Sequence, residues 1–201
     1  MKQSLFALLV LGLVSLGCTS TNKAATPDTA AQPNSAASSA SPSSRGSDQG
    51  FVTKAAQGNS AEVELGKIVA AKSKNPSVKQ FAQMMVKDHT TALNELQELA
   101  QTKNLNFSDD LPDDAKALQT KLSSDSAKQL DKDYMDSMVE DHQKDVQEFT
   151  EKSQDAKDPD VKQWAGKTLP TLQKHLEKAQ QIDARLNKSK AANASPSGDS
   201  Q

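Results

Sequence analysis

Two stretches of this chain share a pattern that restricts the fold to helices packed around a common interior. In Tyr134–Phe149, YMDSMVEDHQKDVQEF, the residues Tyr134, Met135, Met138, Val139, Val146 and Phe149 return every three or four positions, as one helical face requires. Phe81–Leu96, FAQMMVKDHTTALNEL, repeats the pattern: Met85, Val86, Asp88 and His89 correspond to Met138, Val139, Asp141 and His142. Each stretch carries a histidine on its inward face. Aromatic residues make up only 3% of the chain, while Ala, Leu, Lys, Gln and Glu are common in its centre, a composition that favours helices over sheets.

Four long helices follow from the same periodicity. The first spans about 51–73, with Phe51, Ala55, Ala61, Leu65, Ile68 and Val69 on one side, and stops at the breaker Asn75-Pro76. The second starts on Pro76, a favourable first-turn position, and runs to about Lys103. A third covers about 126–156, and a fourth starts near Pro159 and runs to about Asn187, with a kink expected at Pro170. A short helix is expected around 113–122. Joints within each pair are short, whereas residues 104–125 separate the pairs. A connection of that length can cross the whole bundle, as in ferritin-like folds, or fold on itself beside a plain up-and-down bundle; the crossover is the favoured topology. The expected fold is therefore all-α, a ferritin-like four-helix bundle over 51–187.

The ends of the chain read differently. Lys2 and the apolar run Leu5–Val14 have the length of a signal peptide, 1–17, rather than of a membrane span. Ser15-Leu16-Gly17-Cys18 follows and resembles the lipobox of bacterial lipoproteins, in which the cysteine is acylated; Ser15 stands where such motifs usually have Leu. The alternative is an ordinary signal peptide cleaved a few residues later. Cys18 is the only cysteine, which excludes an intrachain disulfide and any CxxC motif. By the same resemblance, the absence of Asp after Cys18 favours the outer membrane, with the domain facing the periplasm. Residues 18–50 are rich in Ser, Ala, Thr, Pro, Asn and Gln and read as a disordered linker, as does the tail 188–201. The expected partner is thus the membrane, through the N-terminal lipid. The formal net charge is −2 with both signs interspersed, so no basic stripe points to nucleic acid. No protein partner is readable.

All three histidines, His89, His142 and His175, fall on apolar stripes of different long helices. On the first helix the matching inward polar residue is Glu62, while Glu64 points away. The four lie near the midpoints of their helices and should meet at one level. Three imidazoles and a carboxylate suit one divalent transition metal, such as zinc. Met85 and Met138, each one turn before a histidine, would turn the preference toward copper. The competing reading is a polar core, in which Glu62 or Tyr134 accepts from the histidines and no ion is involved. A di-iron centre needs Glu three residues before its histidines, and Val86, Val139 and Leu172 stand there. Asp88 and Asp141 project about 100° from their neighbouring histidines, toward helix contacts or water. No nucleophile pairs with a histidine and no glycine-rich phosphate loop is present, so no catalytic residue is assigned.

The order and spacing of four pieces resemble the domain-of-unknown-function 4142 family. They are Ala61-Glu62-Val63-Glu64-Leu65-Gly66, Met85-Val86-Lys87-Asp88-His89, Tyr134-Met135 with Met138-Val139-Glu140-Asp141-His142, and Leu169-Pro170 with His175-Leu176. The resemblance implies a ferritin-like helical bundle in the bacterial envelope and no established reaction. The expected function is a lipid-anchored binding or stress-related module of unknown activity, whose core is either purely polar, the favoured reading, or holds one metal ion; the alternative is a ferritin-like metal-dependent oxidase or metal-storage protein.

Overall fold

The computed structural model describes residues 42–194, all of which belong to one compact unit. Among them are five helices: α1 (Pro42–Lys72), α2 (Pro76–Lys103), α3 (Asp113–Ser124), α4 (Ala127–Asp155) and α5 (Pro159–Ala194). The signal segment, Cys18, the linker before Pro42 and the tail after Ala194 lie outside the described residues.

Local chemistry sets the helix limits. Asn75 caps α2 by accepting from Ser77 N at 2.9 Å, with Pro76 in the first turn where its missing N–H costs nothing. Asn104 ends the same helix in the left-handed region, φ 53°, and its N–H reaches back to the Ala100 and Gln101 carbonyls. Ser126 accepts from Gln129 N to open α4, and Asp158 accepts from Asp160 N at 2.8 Å to open α5.

α1 packs antiparallel on α2, and α4 on α5, because each pair is joined by three residues. The pairs dock with α2 against α5 and α1 against α4. Polar contacts fix the path between them. Gln49, early in α1, exchanges two 2.7 Å hydrogen bonds with the backbone of Asn106, just after α2. At the other end Lys72, the last residue of α1, donates to the carbonyls of Leu122, at 2.8 Å, and Ser123. The connection containing α3 therefore travels the length of the bundle, and α2 and α4 run the same way. This is the ferritin-like crossover.

Two expected boundaries shift. α1 begins at Pro42 rather than near Phe51, so residues 42–50 are helix and not linker. These turns are held by polar bonds that leave no apolar stripe: buried Asp48 accepts from Lys157 N at 3.0 Å and Asp158 N at 2.8 Å, tying α1 to the α4–α5 joint. α5 likewise continues through Pro170 and beyond Asn187 to Ala194. Among the described residues no helix is long and apolar enough to cross a membrane.

The apolar interior is divided in two. Toward the Asp48 end, Phe51, Phe149 and Trp164 gather with ring centroids 5.0–6.0 Å apart, alongside Val52, Leu96 and Leu172. Toward the Lys72 end, Phe81, Met85, Leu130, Tyr134 and Met138 pack with Leu65 and Val69. In sequence, each long helix passes from one cluster to the other through a single polar stretch: Asn59 and Glu62 on α1, His89 on α2, His142 on α4 and His175 on α5.

Candidate metal centre

These four stretches form one layer across the bundle. The three imidazole rings make a nearly equilateral triangle, with centroid separations of 5.2, 5.4 and 5.6 Å. All three are sealed from solvent, His89 at 3%, His142 at 0% and His175 at 2% exposure. One nitrogen of each ring lies within 4.8 Å of one from each of the others.

Hydrogen bonds assign the proton on every ring. Asn59 Nδ2 donates to the Ala55 carbonyl at 2.6 Å, which turns Asn59 Oδ1 toward His89 Nδ1 at 2.8 Å. Glu62 Oε2 lies 2.7 Å from the same nitrogen. Facing two acceptors, His89 Nδ1 carries the hydrogen and Nε2 keeps its lone pair. His142 Nδ1 donates to the Met138 carbonyl one turn earlier, at 3.0 Å, which leaves Nε2 buried and without a partner. His175 Nε2 donates to Asp88 Oδ2 at 3.1 Å, which leaves the Nδ1 lone pair facing His89 Nε2. Three lone pairs therefore face the middle of the layer. The two that belong to His89 Nε2 and His175 Nδ1 are 3.3 Å apart with no proton assigned between them.

Burial governs the charges. It pushes each imidazole down to about 4, so all three are neutral near neutral pH; at His142 the Glu62 carboxylate opposes this, and at His175 Asp88 does. It pushes Glu62 up to about 7, against the pull of His142. Glu62 Oε1 stands 3.3 Å from His142 Nδ1, yet that N–H is directed to the Met138 carbonyl, so Oε1 accepts no hydrogen bond. Tyr134 gives the layer no hydrogen bond, for its hydroxyl is buried without a hydrogen-bond partner, although the Glu62 charge is felt there.

The structure thus brings together Glu62, His89, His142 and His175, the four residues singled out by periodicity. Glu62 touches the protonated side of its imidazoles rather than the face where the lone pairs meet. Met85 and Met138 lie in the apolar cluster toward the Lys72 end. Sequence reasoning missed two members. Asp88, expected at helix contacts or toward water, does lie at the α2–α5 contact, but its bond to His175 was not anticipated. Asn59 was not singled out, although it lies three positions before Glu62 on the same face of α1.

A family model for a domain of unknown function, DUF4142, matches residues 31–182. The chain belongs to the DUF4142 family. The DUF4142 bundle also resembles the crystal structure of a DUF305 fragment from Deinococcus radiodurans, with a TM-score of 0.61 and 15% identity, over 73% of this chain and 98% of that one. A second crystal structure, of a putative secreted DUF305 protein from Streptomyces coelicolor, gives a TM-score of 0.59 and 17% identity over 70% and 93%. At these identities the likeness is one of fold. No curated protein matches this DUF4142 chain.

Proposed function

We propose that this DUF4142 domain is a metal-binding module of the bacterial envelope, holding one divalent transition metal on His89 Nε2, His142 Nε2 and His175 Nδ1. The observation that carries the reading is the direction of the lone pairs: each ring is tied on its other nitrogen to an acceptor outside the cluster. Metal-bound histidines are held in the same way, with the distal N–H given to a carboxylate or carbonyl. A purely structural polar core would pair these nitrogens with donors, and here His142 Nε2 has none.

The spacing supports the same reading. Nitrogens about 2.0–2.1 Å from a tetrahedral ion stand roughly 3.3 Å from one another. The His89–His175 pair already has that separation, and the third ring needs a closure of up to about 1.5 Å, within the reach of side-chain adjustment. Neutral imidazoles suit zinc or copper(II). Glu62 and Asn59 act as acceptors that orient His89, and Glu62 supplies negative charge beside the ion. The two carboxylates of the layer, Glu62 and Asp88, both contact protonated ring nitrogens, and the described residues show no second ligand cluster, so a di-iron oxidase or a storage centre finds no support in these side chains.

Elemental analysis of the full-length chain, loaded with zinc or copper(II) and then desalted, should give about one equivalent of metal. The His89→Ala/His142→Ala pair should hold none. A wild-type protein that emerges without stoichiometric metal sinks the proposal.

The envelope placement rests on the sequence, through the apolar segment ending at Cys18 and the family resemblance. Lipid on Cys18 would anchor the bundle to the outer membrane. Cys18→Ser should move the protein from the membrane to the soluble fraction, with fatty-acid mass lost from the mature N-terminus; unchanged fractionation rejects the anchor.

A further inference from the structure

The imidazoles are sealed, so an ion reaching them needs a way in. One side of the bundle provides it. Between α1, α3 and α4 lies an open cleft of about 470 Å³, lined by five acidic side chains, Glu62, Asp114, Glu140, Asp141 and Asp145, and by two lysines, Lys54 and Lys144. Lys54 pairs at 2.6 Å with Glu148, which does not line the cleft, and Lys144 pairs at 2.7 Å with the cleft's own Glu140. Five acidic side chains against two lysines still leave the cleft with an excess of carboxyl groups. Asp141 accepts from Ser137 Oγ at 2.8 Å and lies 3.9 Å from Lys144. Glu62, only 5% exposed, presents an oxygen that accepts no hydrogen bond.

A second, narrower cavity of about 20 Å³, the size of one water, lies beside the cleft and touches His89. Lys54, Gly58, Glu62 and Asp145 line both spaces, and so form the wall between them. Gly58 leaves open space in that boundary, for an added Cβ there would meet nothing within 4 Å.

We propose that this cleft is the metal's inlet: it gathers hydrated divalent cations over Asp141 and Asp145 and passes them beside Gly58, along Glu62, to His89. The inlet rests on the histidine centre proposed above. A recess with five carboxyl groups against two lysines, walled by low-dielectric protein, concentrates cations and raises their association rate, and an arriving dication displaces the proton that burial holds on Asp145. The cleft is wide enough to admit an ion with its water shell, and Glu62 is the one carboxylate that both faces the cleft and touches the imidazoles.

Stopped-flow absorbance of the full-length chain mixed with cobalt(II) alone reads the filling of the centre through the ion's visible bands. In Asp141→Asn/Asp145→Asn, association should slow about tenfold and lose most of its dependence on ionic strength, while one cobalt is still bound at saturation. Gly58→Leu should slow association and dissociation several-fold alike, because a plug obstructs passage in both directions and leaves affinity unchanged. Glu151→Gln, an exposed acid elsewhere on α4, should behave as wild type. If both altered cleft proteins fill at the wild-type rate while binding one cobalt, the inlet is wrong and the centre stands. If the neutralised pair remains folded by circular dichroism but loses stoichiometric cobalt, the carboxylates are ligands and the inlet is equally wrong. A wild-type chain that binds no cobalt overturns the centre and the inlet with it.

Discussion

At the scale of single residues, a buried histidine has two nitrogens to satisfy, and each ring here satisfies one with an acceptor that holds it in a fixed tautomer. Asp88 is the most exposed of these acceptors, so it can be altered with little harm to the core. Asp88→Ala should weaken zinc or copper(II) affinity by about 10–100-fold while stoichiometry stays at one, because His175 would lose its orientation and part of its basicity. Isothermal titration calorimetry checks this, and an unchanged Kd would detach Asp88 from the centre. The inward direction of Glu62 and of the three histidines was legible as periodicity. The direction of Asp88 was not: it lies off the stripe of its own helix, and its target is supplied by α5, which packs on that side of α2. A helical period fixes where a Cα–Cβ bond points. The partner at the end of the side chain depends on a neighbouring helix.

At the scale of helices, α1 and α2 approach closely where Gly66 leaves room for the other backbone. A Cβ at that position would stand 2.9 Å from Val86 Cγ2 and 3.1 Å from the Ala82 carbonyl oxygen. Gly66→Ala should therefore lower stability by about 1–3 kcal/mol, since the overpacking outweighs the gain in helix propensity. Gly50→Ala, with open space around it, should instead raise stability by up to about 1 kcal/mol. Thermal unfolding of the two variants checks the opposite signs. Helix limits were legible where a breaker or cap stands at the boundary, as at Asn75-Pro76 and Ser126. They were hidden at the start of α1, where Asp48 and Gln49 hold the helix through hydrogen bonds to distant backbone and the surrounding residues are small and polar.

For the whole molecule, the buried layer sets how stability responds to pH. His89, His142 and His175 take up protons at about 6.5 when unfolded and only at about 4 when folded, so the unfolded chain binds more protons between those values and stability falls as pH drops through them. Glu62 and Asp145 are pushed up by burial, to about 7 and about 8, and favour the fold while protonated; their contribution disappears as pH rises through those values. The metal-free chain should therefore be most stable near pH 6.5 and weaker on both sides, as thermal denaturation across pH 4–9 would register; a maximum well outside about 6–7 contradicts this balance. The crossover itself was legible from the length of the middle connection, whereas the coming together of Glu62 and the histidines was a geometric expectation that only the packed helices could test.

No part of the chain owns this layer. The α1–α2 hairpin brings one imidazole with its carboxylate and amide, and the α4–α5 hairpin brings the other two imidazoles. Neither half can grip an ion in three places by itself. An ion seated there would staple the front of the polypeptide to the back, and would tighten its hold only after the two halves had found each other.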